Sequence, residues 1–188
     1  MSQSSPLQYA PIIPLYWAYK KLDDIDNAAL KQLVIANRDQ KKPNSEPGDT
    51  NFEDIPLYPA ALRSNALDAL LAEVESAVQE VASIPLKLQG GFAWANIRSK
   101  GQSLAYHDHD DPRNPNANRL SFAYYVQANA DNQPLVFPIT LHAHRFNHAF
   151  KPETGQLQIF PSFLPHYTGQ EDAPTEDRIV ISGNYVEI

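Results

Sequence analysis

From Pro85 onward the chain runs as short segments rich in Tyr, Phe, Val and Ile, parted by turn residues about every ten positions, and few folds accept that rhythm. It predicts a β-sandwich or barrel. The expected strands are Phe92 to Arg98, Ser103 to His107, Leu120 to Gln127, Leu135 to Leu141, Gly155 to Phe160 and Ile179 to Val186. The first part of the chain reads differently. Residues 23–37 open with Asp and Asn capping candidates and place Leu30, Leu33, Val34 and Asn37 near one face of a short helix. From Pro59 a second helix is predicted, with Leu62, Ala66, Leu67, Leu70, Leu71, Val74, Val78 and Val81 at spacings of three and four. Between them, residues 39–58 are rich in Pro, Asn, Asp and Gly and read as a loop. Helices first and strands second predict one α+β unit over residues 1–188, with 1–87 as helical support and 88–188 as the β core.

Composition narrows the chemistry. There is no cysteine, so a disulfide framework, a thiolate nucleophile and an iron–sulfur cluster are excluded, and any metal site must use nitrogen and oxygen. The six histidines, His107, His109, His142, His144, His148 and His166, crowd into one stretch of the chain. With 15 Lys and Arg against 22 Asp and Glu, the net charge is −7, which argues against nucleic acid or anionic membrane as partners. No run approaches the length of a membrane span, and the opening Met-Ser-Gln-Ser-Ser-Pro lacks the features of a signal peptide, so a soluble cytoplasmic protein is expected.

Three sequence elements carry chemistry. In Tyr106-His107-Asp108-His109-Asp110-Asp111, an extended backbone puts His107, His109 and Asp111 on one side, where two or three ligands converge; the bland alternative is a solvated acidic turn. In Gly155-Gln-Leu-Gln-Ile-Phe160-Pro161-Ser162-Phe163-Leu164-Pro165-His166, an alternating strand delivers a histidine between apolar flanks, where an imidazole needs a partner. Arg178 opens the apolar run Ile-Val-Ile-Ser and needs an anion, either a ligand carboxylate or an Asp or Glu of the protein. Two histidines and a carboxylate on one side of a metal, with open positions left over, form the arrangement of non-haem Fe(II) oxygenases. His142, His144 and His148 read as a polar strand end, with His142, His144, His148 and Arg145 as possible substrate contacts, and Glu171 to Asp177 reads as a solvated acidic loop.

On these residues the C-terminal half, roughly 88–188, resembles the Fe(II)- and 2-oxoglutarate-dependent dioxygenases, built on a double-stranded β-helix or jelly-roll core. Trp94-Ala-Asn-Ile-Arg98 with Gly101, Ser121-Phe-Ala-Tyr-Tyr-Val126, Phe160-Pro-Ser-Phe-Leu-Pro-His166 and Arg178-Ile-Val-Ile-Ser-Gly-Asn184 are similar to a group of bacterial and phage oxygenases. Those carry H-x-H or H-x-D, S-G-x-Y-Y, F-P-S-x-L-x-H and R-x-S-I-S-F-N. Pro14-Leu-Tyr-Trp and the helix after it are also similar. Gly183 departs from the group, which has Phe there, and Pro112 to Asn118 is an insertion-like stretch.

The spacing from His109 to Tyr124-Tyr125 resembles the prolyl-hydroxylase branch. That register implies His109, Asp111 and His166 as iron ligands, with Tyr125 and Arg178 holding 2-oxoglutarate, and Asp111 as ligand implies hydroxylation rather than halogenation. The other register uses His107, His109 and His166 and resembles a cupin, whose half-motifs are degraded at Arg113, Asn114 and Phe163. The resemblance implies Fe(II), with 2-oxoglutarate and dioxygen as co-substrates. The products are succinate, CO2 and a hydroxylated small molecule, amino acid or peptide side chain; a homodimer is compatible with the reading. A cupin-type three-histidine enzyme without 2-oxoglutarate and a non-catalytic jelly-roll binding protein are the alternatives.

Overall fold

The computed structural model describes residues 17–40, 42–43, 53–110, 118–141, 144–172 and 174–188. In chain order these form β1 (Ala18–Lys21), α1 (Asn27–Ala36), β2 (Lys42–Pro43), β3 (Glu53–Leu57), α2 (Pro59–Leu62), α3 (Asn65–Val81), β4 (Leu86–Leu88), β5 (Ala93–Arg98), β6 (Leu104–His107), β7 (Asn118–Gln127), β8 (Leu135–Leu141), β9 (His144–Phe150), β10 (Gln156–Pro161), β11 (His166–Thr168) and β12 (Arg178–Glu187). Asp111, His142, half of the 39–58 loop (41 and 44–52), the 112–117 stretch and Pro14 to Tyr16 lie outside the described residues.

The strands build two sheets. The larger has the order β1-β10-β7-β12-β5-β3-β2, with β4 extending the pairing of β12, and the smaller has the order β6-β11-β8-β9. All of the strand pairs are antiparallel. This is the expected α+β architecture, a double-stranded β-helix with helices packed against it.

Why the helices sit where they do follows from side-chain alternation. On β7, Phe122, Tyr124 and Val126 face the helix side, where they join Leu30 and Val34 of α1 and Leu67, Leu70, Val74 and Val78 of α3 in one core. Ala123 and Tyr125 face the other way, into the space between the sheets, with Leu104, Leu135, Phe137, Phe160, Leu164 and Val180. A strand buried on both faces reads as a continuous apolar run, as Phe122 to Val126 does.

Helix boundaries obey local chemistry. The Asp26 side chain accepts from Ala29 N at 2.9 Å and starts α1. The single helix expected from Pro59 is instead two, because Arg63 adopts a left-handed φ of 48° that ends α2, and Ser64 then caps α3 through Leu67 N. Several elements were not expected: β1, β3, β4 and β11 are too short to show a period, and β9 is exposed along almost its whole length. Among the described residues no helix is long and apolar enough to cross a membrane.

Gly183 has a packing explanation. It pairs directly with Phe122 across β12 and β7, and a Cβ there would lie 2.6 Å from Phe122 Cε1 and 3.1 Å from Leu88 Cδ1. One large and one small residue thus share the space across a registered pair. Gly183→Phe alone is expected to destabilise by overpacking, and Phe122→Gly by leaving a cavity of about 3–5 kcal/mol. The double exchange should recover at least about 1 kcal/mol relative to the sum of the singles, read from urea unfolding midpoints. Strict additivity would show that the pair does not share this space.

Candidate metal centre and co-substrate pocket

At one end of the space between the sheets three imidazoles converge. His107 closes β6, His166 opens β11, and the two residues are register partners. His109 lies just past β6, its backbone N–H donating to the Ser162 carbonyl at 2.9 Å, which returns the chain toward the turn after β10. One potential ligand atom from each of His107, His109 and His166 lies within 4.8 Å of the others.

The hydrogen bonds settle how two of the rings are presented. His107 Nδ1 donates to the Ala105 carbonyl at 2.9 Å, and His166 Nδ1 to the Leu164 carbonyl at 3.0 Å. A carbonyl only accepts, so each Nδ1 carries a proton, and in the neutral ring Nε2 then holds the lone pair. His109 Nε2 stands 3.4 Å from His166 Nε2. Two nitrogens that each lie about 2.1 Å from one metal ion are separated by roughly 3.0–3.4 Å, so the spacing suits a shared ion.

Desolvation keeps His109 and His166 neutral. Desolvation, then the neighbouring His107, pushes His109 down to about 3, against an opposing hydrogen bond with the Asn184 side chain. His166 is held well below the usual imidazole range by burial first and by His109 and His107 next, opposed by its bond to Leu164. Neutral imidazoles with free lone pairs are what a metal ion requires. Trp94 stacks on His109, and Phe137 and Phe160 pack on His166, so the cluster has dry walls on two sides.

Deeper in the same cavity lie Tyr125, Thr168, Arg98 and Arg178. Arg178 is 1% exposed. Its Nη1 donates to the Gln133 carbonyl at 2.8 Å and lies 3.3 Å from Glu171 Oε1, and its Nη2 donates to Thr168 Oγ1 at 3.2 Å. The second anion source admitted for Arg178, a carboxylate of the protein, is therefore present. Glu171, expected in a solvated acidic loop, is instead fully buried, and its Oε2 accepts from Asn132 Nδ2 and Gln133 N. The cost of burying an unpaired guanidinium explains the correction: the loop folds inward to supply the counter-charge. Yet the Arg178 Nε is buried with no hydrogen-bond partner among the described residues. The Nε–Nη2 edge is the one a carboxylate grips bidentately, and here it still has donor capacity. Burial raises the Tyr125 hydroxyl's pKa, with Arg178 and Arg98 opposing, so Tyr125 stays a neutral donor.

The site thus joins His109, His166, Tyr125 and Arg178 and adds His107, Thr168, Glu171 and Arg98. His144, Arg145 and His148 lie on the exposed strand β9, and His148 packs against Trp17 and Phe150. Asn96, Arg98 and Asn184 are buried polar side chains on strands β5 and β12, which also carry many apolar residues. Those polar residues were the available signal for a cavity there.

Neither a protein-family model nor a curated protein matches the chain. Solved structures do share its fold. A Pseudomonas putida prolyl-4-hydroxylase is 15% identical over 92% of each chain, with a TM-score of 0.65. The viral collagen prolyl hydroxylase of Paramecium bursaria Chlorella virus-1, in its 2-oxoglutarate complex, is 15% identical over 90% of this chain and 96% of that chain, with a TM-score of 0.65. The non-haem α-ketoglutarate-dependent carbocyclase SnoK from nogalamycin biosynthesis is 10% identical over 91% of this chain and 79% of that chain, with a TM-score of 0.69. At such identities the likeness establishes the fold, the double-stranded β-helix of the 2-oxoglutarate and Fe(II) oxygenases.

Proposed function

We propose that the chain is an Fe(II)- and 2-oxoglutarate-dependent dioxygenase that hydroxylates a C–H bond of a small molecule, an amino acid or a peptide side chain. The observation that carries this reading is the pairing of two features in one cavity: converging neutral imidazoles, and a fully buried arginine whose Nε has no partner among the described residues.

The donor set fits iron. His109 and His166 would hold it. His107 supplies the third nitrogen in the described geometry, and Asp111, implied by the prolyl-hydroxylase register, is its competitor for that position. Arg178 would grip the far carboxylate of 2-oxoglutarate through Nε and Nη2, with the Tyr125 hydroxyl as a further donor. Thr168 Oγ1 already accepts from Leu104 N and Arg178 Nη2, so its own proton is free to donate to the same carboxylate. Trp94, Phe137 and Phe160 exclude water from the reacting end. When bound, iron activates dioxygen against the 2-oxo acid, so that substrate, 2-oxoglutarate and O2 give hydroxylated substrate, succinate and CO2.

The solved prolyl hydroxylases support a peptidyl or amino-acid substrate, and SnoK supports a small molecule. Soluble and cytoplasmic placement remains part of the proposal, as do the single-domain organisation and a homodimeric assembly. One observation favours a second reading, since a cluster of three histidines also suits a cupin-type metalloenzyme that uses no 2-oxo acid.

The test is anaerobic addition of 2-oxoglutarate to the Fe(II)-loaded protein, followed by succinate measurement in air across amino acids and related metabolites. A visible charge-transfer band and substrate-stimulated succinate are expected. Folded, iron-loaded protein with neither would overturn the dioxygenase reading in favour of the cupin one.

A further inference from the structure

Two of the three clustered histidines are oriented by backbone carbonyls, which no substitution can remove. His109 is held differently. Its side chain is hydrogen-bonded to that of Asn184, which stands on the cavity side of β12, on the same strand face as Arg178. Asn184 is itself tied on two sides. Its Oδ1 accepts from Ser121 Oγ at 2.8 Å, and its Nδ2 donates to Gln89 Oε1 at 3.3 Å. Ser121 Oγ also lies 2.8 Å from Ser162 Oγ, and the Ser162 carbonyl takes the backbone N–H of His109. The path from the His109 backbone through Ser162 and Ser121 to the Asn184 amide is therefore a closed ring of hydrogen bonds around one imidazole. Ser121, Ser162 and Asn184 are all buried, so water does not compete for these bonds.

We propose that Asn184 is a positioning residue for the metal ligand His109. Its amide, locked by Ser121 and Gln89, presents Oδ1 to one ring nitrogen, so that nitrogen carries the proton and Nε2 is left to the metal. An acceptor on the far nitrogen fixes both tautomer and ring angle and raises the basicity of the ligating nitrogen. Alanine at 184 would leave His109 with neither fixed. The inference rests on the proposed metal centre, and the experiment separates the two.

The test uses the full chain with Co(II) as the probe, read by titration of the visible absorption and by the hyperfine-shifted exchangeable imidazole protons in the NMR spectrum. Asn184→Ala is expected to weaken Co(II) binding about 10–100-fold and to lose or broaden one exchangeable imidazole signal. Asn184→Asp, which keeps an acceptor, should retain that signal. Ser121→Ala removes the donor that sets the amide while leaving Asn184 in place. It should weaken Co(II) binding several-fold, and it serves as the readout if Asn184→Ala does not fold. Wild-type protein that takes up no Co(II) would overturn the metal centre itself. Wild-type uptake with unchanged affinity and a full set of imidazole signals in Asn184→Ala, or in Ser121→Ala if that variant alone folds, would overturn only the role of Asn184.

Discussion

Replacing His166 or His109 by alanine is expected to abolish metal-dependent turnover and to weaken Fe(II) or Co(II) binding by more than about 100-fold, beyond what loss of an outer hydrogen-bond partner does. The reason is geometric. The two Nε2 atoms sit 3.4 Å apart in a half-buried cluster, and removing either ring leaves too few donors to repay the metal ion for its water. Calorimetric or spectroscopic titration of the folded variants checks the expectation; unchanged affinity in either would show that the site does not exist as drawn. The same titration applied to His107→Ala and Asp111→Ala assigns the third position. The described geometry predicts the larger loss for His107→Ala, and the prolyl-hydroxylase register predicts it for Asp111→Ala.

The second large effect concerns the buried ion pair. Arg178→Leu and Glu171→Leu should each destabilise by about 3–5 kcal/mol, because each strands an uncompensated charge at a position that is 1% or 0% exposed. For a chain of this size that lowers the melting temperature by roughly 10 °C. The double variant should recover part of the loss, since two apolar residues replace the pair. Binding of 2-oxoglutarate should not recover with it. A stable double variant that still binds 2-oxoglutarate as the wild type does would show that Arg178 serves structure alone, and two singles with unaltered melting would show that the pair is not formed.

Much of the fold was legible because its causes are local and periodic. The 3.6-residue spacing of Leu67, Leu70, Val74 and Val78, the alternation in β10 and the short apolar segments of β5, β7 and β12 survive in the structure to within a residue or two. What escaped was set by partners far away in sequence. β11 has three residues and exists because β6 and β8 flank it, and among the described strands β1 pairs with β10 alone. The division of the second helix at Arg63 depends on a single backbone conformation that no side-chain pattern announces.

The site divides along the same line. His166 and Arg178 stood out because each adjoins an apolar run, so a polar side chain there needs a ligand or a partner; His109 stood out by its alternation with His107, and Tyr125 only through the resemblance. Glu171 was misread. In sequence it belongs to an acidic run, and only the packing of that loop beneath β12 brings it to Arg178. Asn184 had no readable role until β12 was placed beside the turn that carries His109.

By itself, the sequence determined that any metal site here would be built from nitrogen and oxygen, since there is no cysteine, and that histidines would supply it from strand ends. It also determined the layered α+β architecture, because residue periodicity decides which face of each element must be buried. Tertiary structure alone decided that His107 stands within reach of His109 and His166, that Arg178 is balanced by Glu171 with Nε left over, and that Phe122 fills the space above Gly183. Those outcomes are set by register and by loop packing. They depend on distances between residues far apart in the chain, which no local pattern encodes.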